Sequence, residues 1–312
     1  LIFSSLNPPL PKIDEEPRLY SNQCQQDLRL VYVNAIQKAQ HSIHLVMFGL
    51  SDPAILSALA DRIRQSLPTK IYYDATESMQ IHKKLKQADL HPVQLGGLMH
   101  QKILILDSDL VFLGSANMTP SSLLMHDNLV VGMRSKTVAD FLLKRIPYSS
   151  GYLQTMVGGQ EIALWLLPDP RGSALSDLRH QLRKANRSIK IALFTLTHPS
   201  LCEEIIAAKK RKVNVTVVID LHSGLGASAK AISLLQQNKV NVLFSQGIQL
   251  LHHKFVWIDD QTLLCGSANW TKAAFEKNSD CILALYHLTS EQNEFMKGLW
   301  NRIETEAASP NQ

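Results

Sequence analysis

The sequence predicts an α/β protein of two duplicated α/β/α sandwich domains, with mixed sheets related by a pseudo-twofold axis. Three observations carry this: the length, an internal repeat, and the alternation of strand-like and helix-like segments within each copy. The chain has 312 residues, 45% apolar and 19% charged, a globular composition with room for two domains of ordinary size. Ala39-Gln-His-Ser-Ile43 is answered by Ala185-Asn-Arg-Ser-Ile189, an offset of 146 residues. Phe48, Leu50, Pro53 and Asp74 find Phe194, Leu196, Pro199 and Asp220 at the same offset. Farther on, Met99-His-Gln-Lys102 is answered by Leu251-His-His-Lys254, and Gly114-Ser-Ala-Asn117 by Gly266-Ser-Ala-Asn269, now at an offset of 152. The change of register falls between Asp220 and His252, in a stretch holding Gly224, Gly226 and Gly247, where loops absorb insertions. A period of this size makes each copy a whole domain, 1–150 and 151–312, with the seam among the turn formers of Pro147–Gly151 and Gly158-Gly159.

The elements follow in the same order in each copy. A short strand (18–20; 162–167) leads into a helix (25–39; 175–185). An alternating β-branched strand comes next (43–48; 189–194), then a helix opened by Pro53 or Pro199. Strands end at Asp74 and Asp220, two more flank each Gly-Ser-Ala-Asn turn, another follows, and a helix closes the half (137–146; 291–303). Thr289 with Gln292 is a capping-box signature for the last of these. Strands alternating with helices give a layered sandwich.

Composition removes several functional classes. The longest apolar runs fall short of the roughly 20 residues a spanning helix needs. The four cysteines lack CxxC spacing, against a zinc site or disulfide framework, although a bridge between Cys265 and Cys281 across neighbouring strands stays open. No GxxxxGK[ST], GxGxxG or HExxH pattern occurs. The net charge of +5 suits an anionic partner, whether phosphate, nucleic acid or acidic lipid. The sequence starts at Leu1 rather than Met, so a trimmed N-terminal segment is expected, with export or membrane attachment through it open.

The chemistry concentrates in one repeated pattern. His100-x-Lys102, four apolar residues and Asp107 precede Gly114-Ser115-x-Asn117; His252-x-Lys254, four apolar residues and Asp259 precede Gly266-Ser267-x-Asn269. His and Lys two apart on a strand share a face, whereas Asp107 and Asp259, an odd number of residues on, turn away and read as structural. Ser115, Ser267, Asn117 and Asn269 bring donors for an anion. This double pattern resembles the phospholipase D superfamily, whose signature is HxKx4D followed by GSxN, and the resemblance covers nearly the whole chain.

The residue types suit phosphodiester cleavage without cofactor or metal. Lysines and asparagines stabilise charge on the equatorial oxygens. One imidazole attacks phosphorus to form a phosphohistidine, and the other protonates the leaving oxygen and then activates water or an alcohol. Two halves about a pseudo-twofold axis supply the opposed geometry, so a monomer is expected. The resemblance makes His100 the nucleophile and His252 the general acid. It also implies a carboxylate about 28 residues after each His: Asp280 stands at that spacing, and Asp127 one residue short. It puts phospholipid first as substrate, with contact to an anionic membrane surface. A nuclease acting on DNA or RNA is the alternative, and a non-enzymatic scaffold a third reading that the intact motifs disfavour.

Other residues are read more plainly. His41, His44, His82, His91, His180, His253 and His287 are taken as surface or core residues. His126, Asp52, His198, His222 and Trp270 are candidates for the mouth of the site, and Asp74 and Asp220 for orienting the lysines or capping strand ends. Trp257 reads as core, and Lys209-Lys-Arg-Lys212 as a cationic last helical turn.

Overall fold

The computed structural model describes residues 9–78, 81–246 and 249–308; Gly247, in the loop where the repeat changes register, lies outside them. The first half runs β1 (Arg18–Tyr20), α1 (Leu28–Lys38), β2 (Ile43–Met47), α2 (Pro53–Arg64), β3 (Thr69–Asp74), α3 (Ile81–Lys84) and β4 (Asp89–Val93). It continues with β5 (Lys102–Leu106), β6 (Leu110–Gly114), α4 (Pro120–Leu124), β7 (His126–Asp127), β8 (Val130–Arg134) and α5 (Lys136–Leu143). The second half opens with a hairpin, β9 (Gly151–Val157) and β10 (Gln160–Leu166). It then runs α6 (Ser173–Lys184), β11 (Ser188–Leu193), α7 (Pro199–Lys210), β12 (Asn214–Asp220), α8 (Leu221–Leu225), α9 (Ala229–Gln237) and β13 (Asn241–Ser245). Last come β14 (Leu250–Leu251), β15 (Lys254–Ile258), β16 (Thr262–Gly266), α10 (Lys272–Glu276), β17 (Cys281–Leu285), α11 (Ser290–Thr305) and β18 (Ala307–Ala308).

Both sheets are mixed and share one topology. The first has the order β1-β8-β6-β5-β2-β3-β4; the second repeats it as β10-β17-β16-β15-β11-β12-β13, with β9 and β18 added at its two edges. Within each, β2-β3-β4 and β11-β12-β13 are parallel and the remaining pairs antiparallel. The central strands Lys-Ile-Leu-Ile-Leu and Lys-Phe-Val-Trp-Ile are buried on both faces, which is why their sequences do not alternate.

Three apolar cores define the layers. One lies between the first sheet and the outer helices α1 and α2, and another between the second sheet and α6, α7 and α9. The third is shared: Val46, Ile103 and Val131 from the first sheet meet Leu164, Phe255 and Leu283 from the second, with Val138 and Leu142 of α5 and Met296 and Trp300 of α11 between them. The halves are therefore fused through a common apolar layer. Trp257 belongs to this layer, and Trp270, a candidate for the site mouth, is buried in the second outer core instead.

One local expectation is revised. The turn of the β5-β6 hairpin is Asp107-Ser108-Asp109, not Gly-Ser-Ala-Asn; the latter follows β6 and leads into α4. Asp107 and Asp259 each take positive φ and gather backbone N–H groups, from residues 40–42 and from residues 186–188 respectively. Cys265 and Cys281 sit on adjacent strands, and all four cysteines are free thiols.

Candidate active site

Each His-x-Lys segment enters its central strand at the lysine, leaving the histidine just before it. Residue 99 bridges to Ser279, and the His100 amide donates to the Ser279 carbonyl at 2.8 Å. β14 pairs in parallel with β7, and the His252 amide donates to the Asp127 carbonyl at 3.0 Å. Backbone of one half thus holds the motif histidine of the other.

The side chains cross the same boundary. His100 Nδ1 lies 2.8 Å from Asp280 Oδ1, and His252 Nδ1 lies 2.9 Å from Asn128 Oδ1. Asp280 follows His252 by the same 28 residues that separate Asn128 from His100, yet each partners the histidine of the opposite half. Asp127, expected at this position, is displaced by Asn128. Its carboxylate is buried with no hydrogen-bond partner among the described residues, and burial together with nearby Glu306 raises its pKa to about 7. One residue along a strand reverses the side chain's direction, so the deficit in spacing puts Asp127 on the far face. Asn128 stands at the right spacing, but it carries no charge, and spacing alone does not mark an amide as a histidine's partner.

The serines also differ from expectation. Ser115 donates to Asn128 Oδ1 at 2.8 Å, and Ser267 to Asp280 Oδ1 at 2.6 Å, and both are buried. Their hydroxyls hold the groups that orient the histidines and are not offered to a substrate. The preceding glycines permit this: a Cβ on Gly114 would lie 2.3 Å from the Leu129 carbonyl oxygen, and one on Gly266 2.2 Å from that of Cys281. Asn117 and Asn269 are half-buried, and among the described residues neither amide nitrogen makes a hydrogen bond, leaving both free to donate.

Electrostatics distinguish the site from an ordinary core. Lys102 and Lys254 are 1% and 3% exposed, each donating to the carbonyl of its own histidine at 2.7 Å and lying over Phe48 or Phe194. Among the described residues neither forms an ion pair. Burial lowers the Lys102 pKa to about 8, and burial with the Lys102 charge holds Lys254 well below its usual range. His100 is lowered by burial and Lys102, with Asp280 opposing. His252 is pushed well down by burial and by Lys254, Lys102, His100 and His126. The side-chain bonds from His100 to Asp280 and from His252 to Asn128, each crossing between the halves, bring both motifs together. Asp280 is held below the usual carboxylate range by His100 and Lys102, against its own burial. Asp280 is the carboxylate in direct contact with a motif histidine, amid two buried lysines, with Asp74 and Asp220 acting only through space.

Several candidates fall outside this cluster. Asp52 caps α2 through the Ala54 and Ile55 amides and pairs with Arg29. His198 stands at the start of α7 against Phe275. Asp74 and Asp220 cap strand ends, accepting from Thr76 and Glu77 and from Ser223, while acting through space on Lys102 and Lys254. His126, whose ring centre is 5.9 Å from that of His252, does border the site. His222 is exposed on α8.

A family model described as "Cardiolipin synthase, PLD-like domain" matches residues 32–146 and 178–304, one segment in each half. Mitochondrial cardiolipin hydrolase of Xenopus laevis is 37% identical over 111 residues, 36% of this chain and 52% of that protein. The mouse protein of the same name is 28% identical over 166 residues, 50% of this chain and 71% of its own length. The chain spans about half the length of the first of these relatives. Phosphatidylserine synthase of Haemophilus influenzae Rd KW20 shares the fold at a TM-score of 0.71 and 13% identity, over 96% of this chain and 88% of that one. Since the family match extends through both halves and most of the sequence, the chain belongs to the phospholipase D-like family.

Proposed function

We propose that this protein is a phosphodiesterase of the phospholipase D type that cleaves phospholipid through a phosphohistidine. The observation that carries this reading is the buried pair of lysines that, among the described residues, have no ion-pair partner, set among two histidines and two asparagine amides free to donate. A phosphodiester supplies the missing anion, and donors already in place stabilise its transition state without reorganisation.

In the proposed sequence His100 Nε2 attacks phosphorus while its Nδ1–H donates to Asp280, forming the P–N bond. The P–O bond to the leaving group breaks, and His252 Nε2–H passes its proton to that oxygen. His252, now neutral, takes a proton from water or an alcohol, whose oxygen displaces His100. Both histidines come from one chain, so a monomer suffices.

Lipid is favoured by what flanks the site. Leu98 precedes His100 by two residues, Leu124 and Met125 lead directly into His126, and Leu225 ends α8 beyond Asp220; all four are exposed. Apolar side chains beside a cationic site suit insertion into an anionic bilayer surface. The names carried by the relatives point the same way. A nuclease reading has one observation in its favour: Tyr72 stacks on His91 and meets Tyr148 edge-on, with Lys70 beside it, on the strand that ends at Asp74. Aromatic and basic groups together bind single strands.

Phosphatidylcholine, phosphatidylglycerol and cardiolipin in vesicles, offered beside single- and double-stranded DNA, separate the two. Lipid cleavage that persists in EDTA is expected. Cleavage of DNA with every lipid intact overturns the substrate assignment, and strict dependence on added divalent metal overturns the chemistry.

A further inference from the structure

The two halves differ at the atoms that touch the catalytic histidines. On one side, Asp280 Oδ1 accepts from His100 Nδ1 and from Ser267, and Oδ2 is buried with no partner among the described residues. On the other, Asn128 Oδ1 accepts from His252 Nδ1 and from Ser115, while Nδ2 donates to the Ser122 carbonyl at 2.8 Å, the Ser122 hydroxyl at 3.3 Å and the His126 carbonyl at 3.0 Å. Two carbonyl oxygens around Nδ2 leave the amide only one orientation. The Asn128 N–H in turn donates to Asn22 Oδ1, whose own Nδ2 binds the His126 carbonyl. Ser122 is answered in the second half by Ala274, each the third residue after the capping Thr119 or Thr271. The polar cradle for the amide therefore exists on one side only.

We propose that Asn128 is a positioning residue that breaks the symmetry of the site, committing His252 to proton donation and leaving His100 as the sole nucleophile. This rests on the phosphohistidine reading above. A nucleophilic imidazole becomes a cation when its Nε2 bonds to phosphorus, and the ionised Asp280 stabilises that cation on His100. A proton donor has the opposite need: it starts as a cation and must become neutral. The Asn128 carbonyl keeps the His252 Nδ1–H pointed away from phosphorus, so the transferable proton sits on Nε2, yet it offers no full charge to retain that proton. With a carboxylate on both sides, either histidine would suit either role.

The charges around His252 reinforce the asymmetry. Lys254 on its own strand, Lys102 and His100 from the other half, and His126 on β7 are all cationic or potentially so, while the Asp127 backbone contributes only its carbonyl. His252 consequently holds its proton weakly, and the anionic substrate strengthens that hold on binding. Turnover of a lipid with an unactivated leaving group should fall as rising pH removes the His252 proton.

The test begins with the wild-type protein, quenched in alkali during turnover of bis(p-nitrophenyl) phosphate, with the labelled peptide mapped by mass spectrometry. Label on His100 alone is expected. Label on His252 overturns the assignment of roles while sparing the phosphohistidine reading; label on neither overturns both. Asn128→Asp should move the descending limb of kcat/KM on lipid to higher pH by about one to three units, and an unmoved limb in a folded variant refutes the proposal. Asn128→Leu should lower the ratio of lipid to bis(p-nitrophenyl) phosphate turnover by about 100-fold, the contribution of a positioned general acid, because nitrophenolate leaves without a proton. Asp280→Asn, nearly isosteric, provides the converse: labelling itself should slow by about 100-fold. Labelling at the wild-type rate in that variant overturns the proposal, even where the Asn128 variants do not fold.

Discussion

At the scale of single residues, His100 and His252 occupy matched positions and differ in the company they keep. His100 faces an ionised carboxylate, and His252 an amide and four positively charged or protonatable neighbours. His100→Asn should abolish both hydrolysis and the acid-labile phosphoenzyme. His252→Asn should still accumulate phosphoenzyme from bis(p-nitrophenyl) phosphate, since that leaving group needs no proton, and then release it slowly because no base activates water. Rapid-quench measurement of acid-labile phosphate on the two variants checks this, and the reverse pattern exchanges the roles. The histidines, lysines and asparagines were legible because two complete motifs at matched spacing repeat in one chain. The orienting pair was half legible: Asp280 by charge and spacing, Asn128 by spacing alone.

At the scale of elements, the aspartates of the two motifs act on the backbone of their own halves. Asp107 accepts the amides of Gln40, His41 and Ser42, tying the end of α1 and the start of β2 to the β5-β6 turn. These bonds hold its pKa below the usual carboxylate range against partial burial. Asp107→Ala should destabilise the fold by about 1–3 kcal/mol, the order of hydrogen bonds to a charged acceptor, read as a lower urea midpoint. Any loss of activity should track the unfolded fraction; a catalytic defect in fully folded protein would contradict the structural role. Most elements were legible from hydrophobic period and from Pro53 and Pro199 at helix starts. The short helices α4 and α10 were not, because five residues opened by Thr119-Pro120 or Thr271-Lys272 carry too little periodicity to separate from a turn.

At the scale of the whole molecule, burying so many ionisable groups makes stability depend on pH. His100, His252 and His253 are all held below the usual imidazole range by burial, His253 to about 3. Unfolded histidines bind protons from about pH 6.5 downward, so over that window the unfolded chain takes up protons that the folded one refuses, and stability rises with pH. Asp280, depressed in the fold, contributes in the same direction at lower pH. Asp127, raised to about 7, acts oppositely between about pH 4 and 7. Three histidines outweigh one aspartate, so Tm should climb from pH 5 to pH 6.5, and a flat or falling profile contradicts their neutral burial. Inorganic phosphate should raise Tm further by supplying the anion the lysines lack; Lys102→Gln should blunt that gain.

The sequence by itself determined the duplication, the layered α/β class and the pairing of two His-x-Lys segments with two Gly-Ser-x-Asn turns, since periodicity and spacing are properties of the chain. Only the tertiary structure decided which group orients which histidine. The parallel pairing of β7 with β14 and the bridge from residue 99 to Ser279 lay each half's strand against the other's motif, so Asp280 reaches His100 and Asn128 reaches His252. Contacts between residues more than a hundred positions apart arise from packing across the shared apolar layer, which no local spacing records. The serines followed the same rule: their hydroxyls were readable as donors, but what they donate to depended on which side chains the fold buried beside them.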